Sequence, residues 1–263
     1  MFKSPGHIAF SVFSLDIHWY GIIMSLSILF WLLVIFIINR RFFKEITTDT
    51  ICDISFYLII SGLVSARLYY VLLDWSYYSK NILEIPAVWN GGISIQGAIV
   101  GGIVAGYYYA KSNKLDFFMY ADLFSFGLII GQVIGRWGNF FNSEAFGLPC
   151  SMPWKLYIPY ASRPVEYKGY EFFHPTFLYE SILNLFVFVV LFFVLIKFPN
   201  RKNGLIFFLY IILYSVVRIF VESIRIDSVL NINGVHIAHI TSILFIIFAL
   251  LGILYINKKS DNL

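Results

Sequence analysis

The chain has 263 residues, 59% hydrophobic and 13% charged, with a formal net charge of +4 and a mean hydropathy of +0.78. Soluble globular chains run near 45–50% apolar and about 25% charged, so these figures exclude a water-soluble domain and describe an integral membrane protein. The basic residues are spread over short turns with no patch, so no nucleic-acid partner is expected.

Runs of about twenty apolar residues match the length of a spanning helix. Seven such segments lie near 18–38, 51–73, 91–110, 119–137, 175–196, 204–222 and 236–256. The first opens with His18-Trp19-Tyr20-Gly21, an aromatic membrane–water anchor. Its apolar core is too long for a signal-peptide h-region and no small-x-small cleavage pattern follows, which predicts a retained helix. The second segment carries Cys52 at one end and Arg67 towards the other.

The third segment begins in Trp89-Asn90-Gly91-Gly92-Ile93-Ser94-Ile95-Gln96-Gly97, with Gly101 and Gly102 beyond. Small residues let helices pack closely, and Gln96 adds a neutral donor and acceptor at membrane depth; packing and binding both fit this stretch. The fourth holds Asp122, an acid inside a span with no evident partner, and ends in Gly135-Arg136-Trp137-Gly138-Asn139-Phe140-Phe141-Asn142-Ser143-Glu144-Ala145-Phe146-Gly147. A charge at membrane depth costs several kcal/mol unless it faces a polar cavity or a partner. The physical reading is a pocket at the membrane boundary for an anionic, lipid-like group.

The stretch 138–174 is the longest between spans, with Pro149, Pro153, Pro159 and Pro164 among Trp154, Tyr157, Tyr160, Tyr167 and Tyr170. That composition predicts a small ordered cap, a lid or docking surface. The fifth span opens with His174-Pro175, proline being favoured in a first helical turn, and Glu180 lies about a turn and a half inside. His174 suits a base or hydrogen-bond donor at the mouth of a polar cavity, and equally a capping group. In the sixth, Tyr214, Arg218 and Glu222 fall at i, i+4, i+8 on one face, with Arg225 three beyond. A guanidinium oriented by a carboxylate one turn away can grip a phosphate bidentately; an ion pair closing the helix end is the simpler alternative.

Lysines and arginines cluster in the turns after helices one, three and five (Arg40, Arg41, Lys44; Lys111, Lys114; Lys197, Arg201, Lys202) and in the tail (Lys258, Lys259). The opposite side carries Lys3, Lys80, Lys155, Arg163 and Lys168. The positive-inside rule puts the amino terminus outside and the carboxy terminus in the cytoplasm. Arg67, Arg136, Arg218 and Arg225 then all sit within or at the outward ends of spans, which favours a common site near the outer leaflet over snorkelling. The expected fold class is an all-α membrane protein. Seven transmembrane helices form a single polytopic domain over 1–263, with a periplasmic or extracellular cap between helices four and five.

Cys52 and Cys150 are a membrane apart on this topology and read as passive thiols. A transporter would show Gly/Pro-broken segments in two related halves, and no repeat is evident. An intramembrane protease needs a Ser–His pair or paired aspartates, and a metal-dependent phospholipid enzyme needs clustered aspartates. The acids are scattered, so neither metal nor cofactor is expected.

Nearly the whole chain resembles the bacterial prolipoprotein diacylglyceryl transferase family. The resemblance rests on Gly135-Arg136-x-Gly138-Asn139-Phe140-x-Asn142-x-Glu144-x-x-Gly147. His18-Trp19-Tyr20-Gly21, Ala66-Arg67-Leu68, the glycine-rich third segment, His174-Pro175 with Tyr179-Glu180, and Tyr214 through Arg225 follow in order. It implies transfer of the diacylglyceryl group of phosphatidylglycerol to the lipobox cysteine thiol of a prolipoprotein signal peptide. A thioether forms and glycerol phosphate leaves, in the bacterial cytoplasmic (inner) membrane, as the first step of lipoprotein maturation.

The resemblance assigns Tyr20, Arg136, Asn139, Glu144, Gly147, Tyr214 and Arg218 to binding and catalysis. Fixed guanidinium donors stabilise charge on a leaving phosphate, which suits Arg136 and Arg218, with Arg225 and Arg67 secondary. Asn139 and Asn142 suit the headgroup glycerol, Glu144 an arginine or the substrate hydroxyls, and Glu222 and Gln96 complete the binding set. Relatives carry histidine or tyrosine at the position of Gln96, and an amide is no base at neutral pH. The thiol proton therefore passes to His174, Glu144 or Glu222, or the arginine field alone lowers the thiol pKa.

Overall fold

Among the described residues, six of the apolar runs fold into helices long and apolar enough to cross a membrane in a computed structural model. The structure describes residues 1–13, 15–88, 91–226, 231–232 and 235–260. The spanning helices are α1 (Trp19–Phe42), α2 (Thr48–Leu73), α5 (Phe117–Asn142), α6 (Thr176–Lys197), α7 (Leu205–Glu222) and α8 (Ile237–Ser260). Between α2 and α5 lie the single turn α3 (Trp75–Tyr78) and α4 (Ile95–Ser112). The third expected span is therefore α4, an 18-residue helix outside the set of six. Gln96, Lys111, three consecutive tyrosines and the glycines dilute its apolarity. The exposed faces are apolar: in α1, Ser27, Trp31, Ile35 and Ile38 are buried at helical spacing while Leu29, Phe30, Leu33 and Ile37 point outward. Such a surface is stable only where lipid is the solvent.

The chain divides into two compact units, one of residues 1–38 and 121–263 and the other of residues 39–120. In the second unit, Thr47 caps α2 by accepting the Thr50 N–H at 3.2 Å. Helices α2 and α4 pack at backbone distance. A Cβ on Gly101 would stand 2.8 Å from the Ser61 carbonyl and against the Ser65 side chain, and one on Gly97 would stand 2.9 Å from Ala66 Cα. Close packing of small residues, rather than a binding surface, explains these two glycines. Trp89 and Asn90 of the same motif lie outside the described residues.

In the first unit, α5 and α6 run antiparallel. Ser181 Oγ donates to the Val133 carbonyl at 2.8 Å, and the Phe126 and Phe188 rings meet at 6.0 Å between centroids. Asp122, read from the sequence as an isolated acid, is fully buried and partnered: its carboxylate accepts the Gly204 and Phe207 N–H groups at 3.0 and 2.8 Å. It thus caps the start of α7 from another helix, where the dipole is positive. Nor is it the sole buried acid, for Glu180 and Glu222 are buried as well.

The all-α expectation also misses small sheets. Strands β2 (Ile8–Val12) and β3 (Leu15–His18) form a hairpin ahead of α1, and β6 (Asn231–Ile232) pairs with β7 (Val235–His236). A three-stranded sheet joins β1 (Phe2–Lys3), β4 (Leu156–Tyr157) and β5 (Phe172–Phe173), with β1 parallel to β4. Around it Phe140, Phe146, Leu156, Ile158, Phe173 and Phe177 make an aromatic-rich core, so the stretch between α5 and α6 is ordered. Buried Arg163 stabilises it by donating to the Ile158 and Lys168 carbonyls at 2.9 and 3.2 Å. Helix α5 continues to Asn142, so the non-helical part begins later than position 138.

Candidate functional site

An ion-pair cluster joins α5, α6 and α7 in the first unit. Arg136 of α5 stands 2.7 Å from Glu180 of α6, and Arg218 of α7 approaches the other oxygen of Glu180 at 3.6 Å. Arg218 also pairs with Glu222 one turn on, at 2.8 Å, and His236 lies 3.4 Å from Glu222. The Glu180 and Glu222 side chains are 3% and 4% exposed, and the Arg136 and Arg218 side chains 21%. Two carboxylates offset two guanidiniums, so the charges are matched where an unpaired one would be costly. The planar donor sets of the two guanidiniums fit a phosphate.

Aromatic groups flank the cluster. Tyr214 lies beside Arg136 and stacks on Tyr210 with centroids 6.1 Å apart. Tyr20 of α1 packs over α5 at Gly138, where a Cβ would come within 2.9 Å of its ring. Among the described residues no group of three or more His, Cys, Asp or Glu side chains comes together as a metal site.

The end of α5 builds a second polar group. Ser143 and Ala145 adopt φ of 54° and 55°, turning the chain so that the Glu144 N–H meets the Asn139 carbonyl at 3.0 Å. Asn139 and Asn142 both donate to Glu144 Oε1, at 2.9 and 3.4 Å. Asn139 and Asn142 thus hold Glu144. Thr176 at the start of α6 donates to the Ala145 carbonyl and ties this turn to the next helix. Gly147 donates to the His174 carbonyl at 3.0 Å and bridges Arg225. A Cβ there would meet Ile224 and Thr176 at 2.9 Å and His174 at 3.0 Å, so the glycine serves close packing. Because α7 ends at Glu222, Arg225 belongs to this bridge rather than to the helical stripe.

His174 faces Tyr179: its Nδ1 is 3.0 Å from the Tyr179 hydroxyl, which also accepts from Trp154 at 2.9 Å. Arg67 and Gln96 belong to the second unit. Arg67 donates to the carbonyls of Glu84, Ile85, Gly91 and Gly92 at 2.6–2.8 Å and stacks on Tyr78 at 5.1 Å, so its guanidinium ties the two ends of one loop, Glu84–Ile85 and Gly91–Gly92, together. Gln96 accepts the Ser94 hydroxyl at 2.6 Å. Cys52 and Cys150 are free thiols.

The sequence reading left Glu180 without a role and passed over His236. A carboxylate inside an otherwise apolar span was the available signal for Glu180. His236 follows a stretch with no regular period and offered none.

The family model described as prolipoprotein diacylglyceryl transferase matches residues 7–255. A phosphatidylglycerol–prolipoprotein diacylglyceryl transferase of Acaryochloris marina is 44% identical, covering 99% of this chain and 94% of its own. Similarly named proteins of Trichormus variabilis and Synechocystis sp. are 41% and 39% identical, covering 98% and 100% of this chain and 93% of theirs. With a family model matched over nearly its whole length and relatives at this level of identity, the chain belongs to the prolipoprotein diacylglyceryl transferase family.

Proposed function

We propose that this membrane-embedded transferase moves the diacylglyceryl group of phosphatidylglycerol to the thiol of a lipobox cysteine in a prolipoprotein, the first step of lipoprotein maturation. One arrangement carries the reading: Arg136 and Arg218, from two helices, converge on buried Glu180. In the reaction the cysteine sulfur forms a bond to the terminal glyceryl carbon, the carbon–oxygen bond to phosphate breaks, and glycerol phosphate departs. The thiol proton is lost to a base. Arg136 and Arg218 bind the phosphate and stabilise the charge that grows on it as the bond breaks.

Around that centre, Tyr214 fixes the Arg136 guanidinium and Glu222 fixes Arg218. Asn139, Asn142 and Glu144 face the headgroup hydroxyls, and Tyr20 flanks them. Gly147 and Arg225 hold the motif turn against α7. Arg67 and Gln96 are assigned to substrate binding within the second unit. The proton acceptor is His174, Glu144 or Glu222, with Gln96 unable to serve. The chain works as one polytopic domain in the bacterial inner membrane, with α4 as a seventh span. Its amino terminus lies outside, its carboxy terminus in the cytoplasm, and the 143–174 region caps the site at the outer leaflet.

The test uses purified protein in detergent with phosphatidylglycerol and a short lipobox peptide, following glycerol phosphate release and peptide mass. Peptide-dependent release with a diacylglyceryl mass gain, lost in folded Arg136→Ala and Arg218→Ala, supports the reading. Absence of any mass gain from folded wild type across several peptides overturns it and returns a transporter to consideration.

A further inference from the structure

Asn184 on α6 is fully buried, and neither its Oδ1 nor its Nδ2 has a hydrogen-bond partner among the described residues. An amide left unpaired in an apolar interior destabilises the fold, whereas an apolar side chain of similar shape would not. Its place gives it a use. It stands four residues after Glu180, one turn along the same helix face.

Across from it, the antiparallel register set by Ser181 and Val133 puts Gln132 of α5 opposite Ile182, two residues from the level of Asn184 and one turn from Arg136. Gln132 donates to the Tyr210 hydroxyl at 2.9 Å while its Oε1 has no partner among the described residues. A polar layer therefore lies directly beneath the arginine–glutamate cluster, with unused capacity on both amides.

Glu180 is now shared between Arg136 and Arg218 at 2.7 and 3.6 Å. A phosphate binding to those guanidiniums competes with Glu180 for the same N–H donors. The carboxylate it displaces is left charged in a low-dielectric interior, which is strongly unfavourable without a replacement donor. We infer that Asn184 is that standby donor: when a substrate phosphate takes the two arginines, one Asn184 N–H turns to the Glu180 carboxylate and the other to Gln132 Oε1. The device rests on the phosphate-binding role proposed for Arg136 and Arg218. It makes Asn184 a positioning residue that acts through Glu180, and no covalent bond changes at Asn184. The unpaired amide of the substrate-free protein is then a cost recovered on binding.

Three variants test this: Asn184→Leu, Asn184→Gln and Asn184→Asp. Each is compared with wild type in KM and kcat for phosphatidylglycerol, and in melting temperature with and without glycerol phosphate. N184L is expected to melt at or above the wild-type temperature because the unpaired amide is gone. It should nevertheless lose on the order of tenfold in kcat/KM, mainly through KM, together with most of the shift induced by glycerol phosphate. N184Q, which keeps a donor, should recover part of both, and N184D, which adds a second carboxylate beside Glu180, should fall below N184L.

Wild-type kinetics and shift in N184L, or N184D performing as well as wild type, would overturn the inference. If N184L fails to fold, the order of N184Q above N184D decides the matter alone, and equality of the two counts against the inference. A glycerol phosphate shift that N184L loses, in a wild type that transfers no lipid, refutes the transferase reading and upholds the standby donor. Absence of the shift in wild type refutes the donor.

Discussion

Glu180 of α6 receives Arg136 from α5 at 2.7 Å on one oxygen and Arg218 from α7 at 3.6 Å on the other, so one buried carboxylate sets the spacing of two guanidiniums. Replacing this carboxylate with an amide, Glu180→Gln, keeps the shape and removes the charge. Truncating one partner of a buried pair costs roughly 3 kcal/mol or more, and misplacing reacting groups by about 1 Å costs on the order of 10²-fold in rate. The expected result is a lower melting temperature and about a hundredfold loss of lipid transfer, read from thermal unfolding and initial rates in the same detergent.

Asp122 accepts two N–H bonds at the start of α7, at 3.0 Å from Gly204 and 2.8 Å from Phe207. Asp122→Ala should destabilise the protein by about 1–2 kcal/mol through loss of a helix cap. Substrate KM should change little, because the cap sits at the opposite end of α7 from Arg218. A large rise in KM at unchanged stability would refute the capping role.

Gly101 meets the Ser61 carbonyl and the Ser65 side chain of α2 at its Cα surface. Gly101→Val forces those backbones apart, and overpacking typically costs about 1–3 kcal/mol. Reduced yield of monodisperse protein from membranes, with Gly102→Val much milder because a Cβ on Gly102 meets nothing within 4 Å, is the expected pattern.

Arg67 spends its N–H donors on four carbonyls at the two ends of one loop, those of Glu84, Ile85, Gly91 and Gly92. Lysine keeps the charge but lacks the planar fork, so Arg67→Lys leaves several of these carbonyls unpaired. The loop should become a site of rapid limited proteolysis, at a stability cost of about 1–3 kcal/mol. Unchanged cleavage kinetics would contradict the loop-organising role.

The spanning helices were legible because twenty-residue apolar runs carry their own boundary signals, and the observed ends of α2, α6 and α7 fall within a few residues of the expected ones. The Arg136–Asn142 part of the motif and the Tyr214–Arg218–Glu222 stripe were legible because each lies on one helix, where spacing alone fixes the face. What escaped depended on contacts between elements far apart in the chain. Glu180 meets its arginines only through the register of α5, α6 and α7, and Asp122 caps a helix that begins more than eighty residues later. Arg67 looked like an embedded charge awaiting a ligand, since carbonyl partners leave no mark in a sequence. The two-residue strands are too short for alternation to show.

The pairing of β1 with β4 carries a consequence for assembly. Phe2 and Lys3 precede α1, yet the strand they join, Leu156–Tyr157, and its neighbour Phe172–Phe173 come from the far side of α5. The amino-terminal strand must therefore wait, unpaired, while five helices are synthesised, and closing so long a loop makes this a late, slow contact. Ribosomal order and folding order diverge here: Phe2 and Lys3 find their partners only after Leu156–Tyr157 has been made.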